Sequence, residues 1–201
     1  MRTDIDEVLQ YWFGELKEGF PIADRSSLWW KGDPQQDQEI AELFGKRVRQ
    51  ALNGELDTWR ETPRGQLALV LLLDQFTRMI YRGSAQAFIG DAAALTITQS
   101  ALANNHDQAL DFAERLFLYL PLEHDESLES QAICTACIES MLNEVPLHNR
   151  HHVDVALDFA AQHKDLIIRF GRFPHRNRVL GRESTEIELA YLNQSHTHWG
   201  Q

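Results

Sequence analysis

The sequence predicts an all-α fold, and three observations predict it. Apolar residues recur at the i, i+3, i+4 spacing of a helix face through most of the chain. Cap-and-proline pairs and isolated glycines mark helix starts and stops. Runs of alternating apolar and polar residues, which would signal a half-buried strand, are almost absent.

Taken in order, Thr3 caps a first helix whose stripe is Ile5, Val8, Leu9, Trp12 and Phe13. Gly14 and Gly19 open a loop that runs through Pro21 to Trp29 and Trp30. Asp33-Pro34 sets a cap residue before a proline at the first helical position. Ile40, Leu43, Phe44, Val48, Ala51 and Leu52 form that helix's stripe, and Gly54 ends it. Thr62-Pro63 repeats the start signal. The helix it opens is apolar nearly all round through Leu73, as a central buried helix is, and Gly83 stops it.

A fourth helix is predicted from Asp91 to Ala103, ended by Asn104-Asn105. A fifth covers Leu110 to Tyr119, before Pro121 breaks it. The helical pattern resumes from Asp125 to Val145, with Asp125 in position to cap it, and again from Asn149 to Phe170, with Gly171 at its end. Ser184 or Thr185 caps a last short helix containing Ile187, Leu189 and Leu192. Seven to eight helices joined by short loops predict stacked antiparallel pairs in one domain spanning residues 1–201. No repeat of fixed period stands out.

Composition limits the function classes. Thirty acids against 19 Lys and Arg give a net charge of −11, which repels nucleic acid and anionic lipid at long range. No nucleic-acid or membrane partner is therefore expected. The acidic, amphipathic N-terminus carries neither a secretory signal nor a spanning segment, so the cytoplasm is the expected location. Cys134 and Cys137 sit one turn apart on a helical pattern, without the strand–helix context of a redox pair, and read as small buried hydrophobes.

Three segments carry more charge than a plain helical core needs. In LLLDQFTRMIYRG, residues 71–83, Asp74, Arg78 and Arg82 fall at i, i+4 and i+8 and predict one polar row beside Gln75. Charges on so apolar a helix must be paired or solvated; the row is either an ion-pair ladder or an arginine site for an anion. In LPLEHDESLESQ, residues 120–131, acids complement a helix N-terminus, and His124 is a candidate general base oriented by a carboxylate. No complete metal motif occurs, so no metal or cofactor is expected. In HKDLIIRFGRFPHRNRVLGRES, residues 163–184, six Lys or Arg stand against one acid between His163 and Arg182. That turn presents Arg172, His175, Arg176, Asn177 and Arg182, with Phe170 and Phe173 tying it to the core. Its arginines either pair with the acidic 123–129 segment or form an anion pocket. His148, His151 and His152 read as a solvated helix start.

With these strings in view, the chain resembles a bacterial family known as domain of unknown function 924, within the tetratricopeptide-like helical superfamily. The resemblance rests on GQLALVLLLDQFTRMIYRG, ERLFLYLPLEH, RFGRFPHRN and LGRESTEIE. His124, Gln131 and the whole RFGRFPHRN string match the family's pattern. Thr77 and Met79 stand where that pattern has Pro and Asn, and Glu123 and Asp125 where it has Met and Ser. The resemblance implies an all-α array of helical hairpins and no established activity.

The reading that results is a binding or interaction protein with an Arg/His-lined site for an anionic small molecule or an acidic peptide. Its candidate residues are Asp74, Gln75, Arg78, Arg82, His124, Gln131, Arg172, His175, Arg176, Asn177 and Arg182. The alternative is an enzyme in which His124 or His175 acts as acid/base on an anionic substrate.

Overall fold

The computed structural model describes residues 3–194. Helix α1 (Asp4–Phe13) opens on a capping box in which the Thr3 hydroxyl accepts from the Asp6 N–H and the Asp6 carboxylate accepts from the Thr3 N–H. The segment expected as a loop instead forms a small antiparallel hairpin, β1 (Leu16–Lys17) and β2 (Phe20–Pro21), and a short helix α2 (Ser26–Trp30). Two-residue strands are too short to leave an alternating pattern in a sequence. Asp33 caps α3 (Pro34–Leu52), and Thr62 caps α4 (Pro63–Val70), each before the expected proline.

The central helix has a feature its sequence did not announce. α4 runs into a π-helical turn, Leu71–Phe76, and continues as α5 (Thr77–Ile80). Leu67 through Leu73 and Phe76 are buried, as the all-round apolar pattern required. The Thr77 hydroxyl donates to the Leu73 carbonyl, four residues back, at 2.7 Å.

α6 (Asp91–Ala103), α7 (Phe112–Glu123), α8 (Leu128–Met141) and α9 (Arg150–Phe170) follow, with α8 packed against both α7 and α9. A short α10 (Glu186–Gln194) completes the described chain. Two boundaries differ from expectation. Pro121 lies inside α7, near its end, where the ring removes one backbone bond while the His124 N–H still reaches Leu120 O at 2.8 Å. Burial of Leu118, Tyr119 and Leu122 outweighs a proline cost on the order of 3 kcal/mol. The cap of α8 is Ser127 and not Asp125, whose carboxylate instead accepts from the Ser130 hydroxyl at 2.6 Å.

Most buried apolar residues form one core around α4, α6 and α7. A small second cluster of Leu166, Ile167 and Phe173, flanked by Phe170 and Tyr191, seats the turn after α9. Among the described residues no helix is long and apolar enough to cross a membrane. Cys134 and Cys137 are both free thiols, the first buried.

Candidate functional site

One face of α7 and one face of α9 enclose a cavity of about 620 Å³. From α7 it takes Ala113, Leu116, Phe117, Leu120, Glu123 and His124, an i, i+3, i+4, i+7 stripe carried through the whole helix. From α9 it takes His152, Val155, Ala156, Phe159 and His163 at the same spacing. Phe20 stacks on His152, centroids 4.5 Å apart, near the start of both helices, whereas His163 Nδ1 lies 3.1 Å from Glu123 Oε1 near their ends. The two faces therefore run side by side for about 15 Å, at 1.5 Å per residue from Ala113 to Glu123. Trp29 and Trp30 of α2 line the cavity between those ends; Trp30 stacks on Phe159 with centroids 6.4 Å apart. Trp30 and Phe159 are 58% and 46% exposed, which places the mouth beside them.

Lys31 and Arg82 line the cavity on the α2 side, and the densest charge gathers at the end by Glu123 and His124. The π-turn carries Asp74 and Gln75 inward, and Asp74 is 0% exposed. Its carboxylate accepts from His124 Nδ1 at 2.8 and 3.0 Å, from Arg78 Nη2 at 2.8 Å and from Gln75 Nε2. Asp91, the first residue of α6, shares that arginine: Arg78 Nη2 reaches its Oδ1 at 3.1 Å, and Arg176 Nη1 its Oδ2 at 3.4 Å. Gly90 is what lets α6 start so close, because a Cβ there would collide with the Leu73 carbonyl. The Phe88 ring packs against both guanidiniums, 5.1 Å from that of Arg78 and 4.7 Å from that of Arg176. Arg78 Nε and Nη1 and Arg176 Nε are buried without a hydrogen-bond partner. Such orphaned donors are uncommon and call for an acceptor.

The α7–α8 turn that carries Glu123 and His124 is fixed by Gln131, whose amide donates to the carbonyls of Glu123 at 2.6 Å and Asp125 at 3.0 Å. Burial would raise Asp74, but His124, Arg78 and the surrounding hydrogen bonds outweigh it and hold its carboxyl well below the usual range. Burial pushes His124 down despite Asp74, with Arg78 adding to the shift, so its ring is neutral at neutral pH. Burial, reinforced by Asp74, raises Glu123 to about 8, so it keeps its proton. Burial and the nearby His124 lower His163 to about 3. Arg176 comes down to about 10, from burial and from Arg78. The polar end thus holds a neutral imidazole and a neutral carboxylic acid side by side.

Of the residues expected to act together, Asp74, Gln75, Arg78, His124 and Arg176 meet at this end, with Gln131 behind them. Asp74 and Arg78 keep the expected i, i+4 pair, and only Arg82 leaves the row. The helix stops at Ile80, and Arg82 turns to make a two-pronged pair with Asp37 at 2.6 and 2.9 Å while still lining the cavity. Most of the arginine-rich turn is tied down elsewhere. Arg172 pairs with Glu188 at 2.6 and 2.8 Å, and Arg182 with Glu126 at 2.6 and 3.0 Å. Asn177 donates to the Ser184 hydroxyl at 3.0 Å. His175 lies against Phe173 and borders a shallow recess with Arg178 and Arg182, apart from the main cavity; burial and Arg176 lower it to about 3.

Asp91, Glu123, His163 and the aromatic walls Trp29, Trp30, Phe117 and Phe159 belong to the site and were not among the expected residues. The α9 stripe at i, i+3, i+4, i+7 was the available signal for its wall. Nothing local marks Asp91, which matters only through packing against the π-turn.

Comparison with known proteins agrees with the architecture. A family described as bacterial protein of unknown function, domain of unknown function 924, matches residues 8–196. A solved structure of a protein of unknown function from Agrobacterium tumefaciens is 32% identical, covers 95% of this chain and 97% of its own, and superposes with a TM-score of 0.77. No curated protein matches the chain. The chain belongs to the domain of unknown function 924 family.

Proposed function

We propose that this protein, one of a family without an assigned activity, binds an elongated apolar molecule ending in a carboxylate. The chain of the ligand lies between α7 and α9, and its head sits against Arg78 and His124. One observation supports this reading above the others: the α7 and α9 walls of the cavity are largely apolar, and Arg78 and His124 line it together near the ends of those helices. A volume near 620 Å³ falls in the range of small-molecule sites. About 15 Å of wall matches a chain of roughly ten to twelve carbons, taking C–C bonds near 1.5 Å in zigzag. A cavity this deep, entered beside Trp30 and Phe159, favours a small molecule over the acidic peptide that an open tetratricopeptide-like groove would hold.

Thermal unfolding with laurate, with acetate and without ligand tests the reading. Laurate at a hundred times its Kd is expected to add about 2.7 kcal/mol of stability, and acetate almost none. Leu116→Trp, which fills the cavity midway, is expected to abolish the laurate response. Arg78→Lys is expected to weaken it, because one ammonium replaces the planar guanidinium. Equal responses to acetate and laurate, or a laurate response unchanged in Leu116→Trp, would overturn the proposal.

A further inference from the structure

We infer that the polar end of the cavity is a hydrolytic centre for acyl esters, in which His124 activates water, Arg78 receives the oxyanion and Glu123 protonates the leaving alcohol. This rests on the binding reading above and adds a reaction to it.

The geometry begins with Asp74. An ionised carboxylate only accepts hydrogen bonds, so the nitrogen facing it at 2.8 and 3.0 Å, His124 Nδ1, carries the proton. His124 Nε2 then holds the lone pair, on a ring that lines the cavity. Arg78 and Gln75 hold Asp74 in turn, which locks the imidazole as the orienting carboxylate of a hydrolase dyad does. Glu123 precedes His124 in the chain and lines the same end, with no arginine or lysine paired to it. Burial keeps it protonated and His124 neutral, the opposed states that one acid and one base require at neutral pH. Arg78 lines the same end of the cavity and supplies a cation there for the developing oxyanion.

Water is the nucleophile this site provides. Among the described residues lining the cavity there is no serine or threonine. Cys134 lines it, but its Sγ lies 3.8 Å from Tyr119 O and burial raises its thiol well above the usual range, the reverse of an activated thiolate. In the step, His124 Nε2 takes a proton from water as the oxygen bonds to the acyl carbon. The carbonyl electrons move onto the oxygen beside Arg78. Collapse of that intermediate breaks the ester C–O bond, and Glu123 delivers its proton to the departing alkoxide. A fatty acid and an alcohol leave, and the proton on His124 passes through solvent to the Glu123 carboxylate, restoring both groups.

Hydrolysis of methyl decanoate and p-nitrophenyl decanoate by the purified chain tests the inference. His124→Gln is expected to lose at least about 100-fold in kcat on both esters, more than any loss in laurate binding. Arg78→Lys is expected to lose on the order of 100-fold in kcat. Glu123→Gln separates acid catalysis from a structural role. It is expected to lose about 100-fold on the methyl ester and less than about threefold on the p-nitrophenyl ester, whose leaving group needs no proton. On the methyl ester, kcat is expected to rise with pH through the depressed His124 range and fall above about 8, as Glu123 ionises. Equal losses of both esters in Glu123→Gln would overturn the assigned acid. A burst of p-nitrophenol stoichiometric with protein would overturn direct attack by water. Laurate binding without turnover of either ester would remove the hydrolytic inference and leave the binding reading standing, whereas absence of both would remove the two together.

Discussion

Two arginine-bearing regions lie close together around the α7–α8 turn, and they differ in what their charges meet. At the cavity end, Arg78 and Arg176 share Asp91, Asp74 is divided among Arg78, His124 and Gln75, and several guanidinium donors have no acceptor. In the turn after α9, Arg172 takes both oxygens of Glu188, and Arg182 takes both of Glu126. Glu126 also accepts from the Phe173 N–H at 2.8 Å, so the turn and the α7–α8 segment are fastened to each other. Counting arginines would single out the turn. Orphaned donors do not separate the two regions, because Arg182 Nε is also buried without a partner. What separates them is that Arg172 and Arg182 each hold a carboxylate of their own by two bonds, whereas Arg78 and Arg176 share Asp91.

The sharpest way to break this contrast is to remove the shared acceptor. Asp74→Ala leaves Arg78 buried beside one remaining carboxylate and His124 without its anchor, and is expected to cost about 3–5 kcal/mol in urea denaturation. A loss no larger than that of Arg182→Ala would make both regions structural.

The pH dependence should carry two opposed slopes from the polar end. His163 is held at about 3 in the fold against 6.5 outside it, so its contribution is complete above pH 6.5 and is lost as pH falls toward 3. Glu123 runs the other way: raised to about 8, it favours the fold fully below its ordinary 4.5, and that contribution is lost as pH rises to about 8. Each slope is at most about 1.4 kcal/mol per pH unit. Glu123→Gln should therefore flatten stability between pH 5 and 8, a window checked by denaturation at fixed pH steps. A slope unchanged by that substitution would show that Glu123 ionises normally.

Arg182→Ala removes a two-pronged pair that is partly open to solvent and is expected to cost about 1–2 kcal/mol. Hydrogen exchange should show the loss concentrated in residues 171–185, with the α7–α9 walls unchanged. The smallest effect belongs to Trp30→Ala at the mouth. With more than half of that side chain in water, it should change stability by less than about 1 kcal/mol while speeding release of a bound laurate. A large stability loss there would mean that α2 is part of the core and not a rim.

Sequence alone determined most of the helix starts and stops. Thr3, Asp33 and Thr62 cap where their hydroxyls or carboxylates sit before a helical stripe, Gly171 adopts the left-handed conformation at φ 70 after α9, and Leu67–Leu73 are buried as their pattern demands. These are short-range effects, legible within one or two turns of chain. Tertiary structure decided the rest. The end of α5 at Ile80 took Arg82 out of the row that Asp74 and Arg78 keep, Gly90 brought Asp91 against Arg78, and Glu188 and Glu126 took Arg172 and Arg182 out of contention. Whether an arginine is a strut or a binding group depends on which carboxylate oxygens come within about 3 Å of it. The partners lie up to 85 positions apart in the chain, so only packing brings them together.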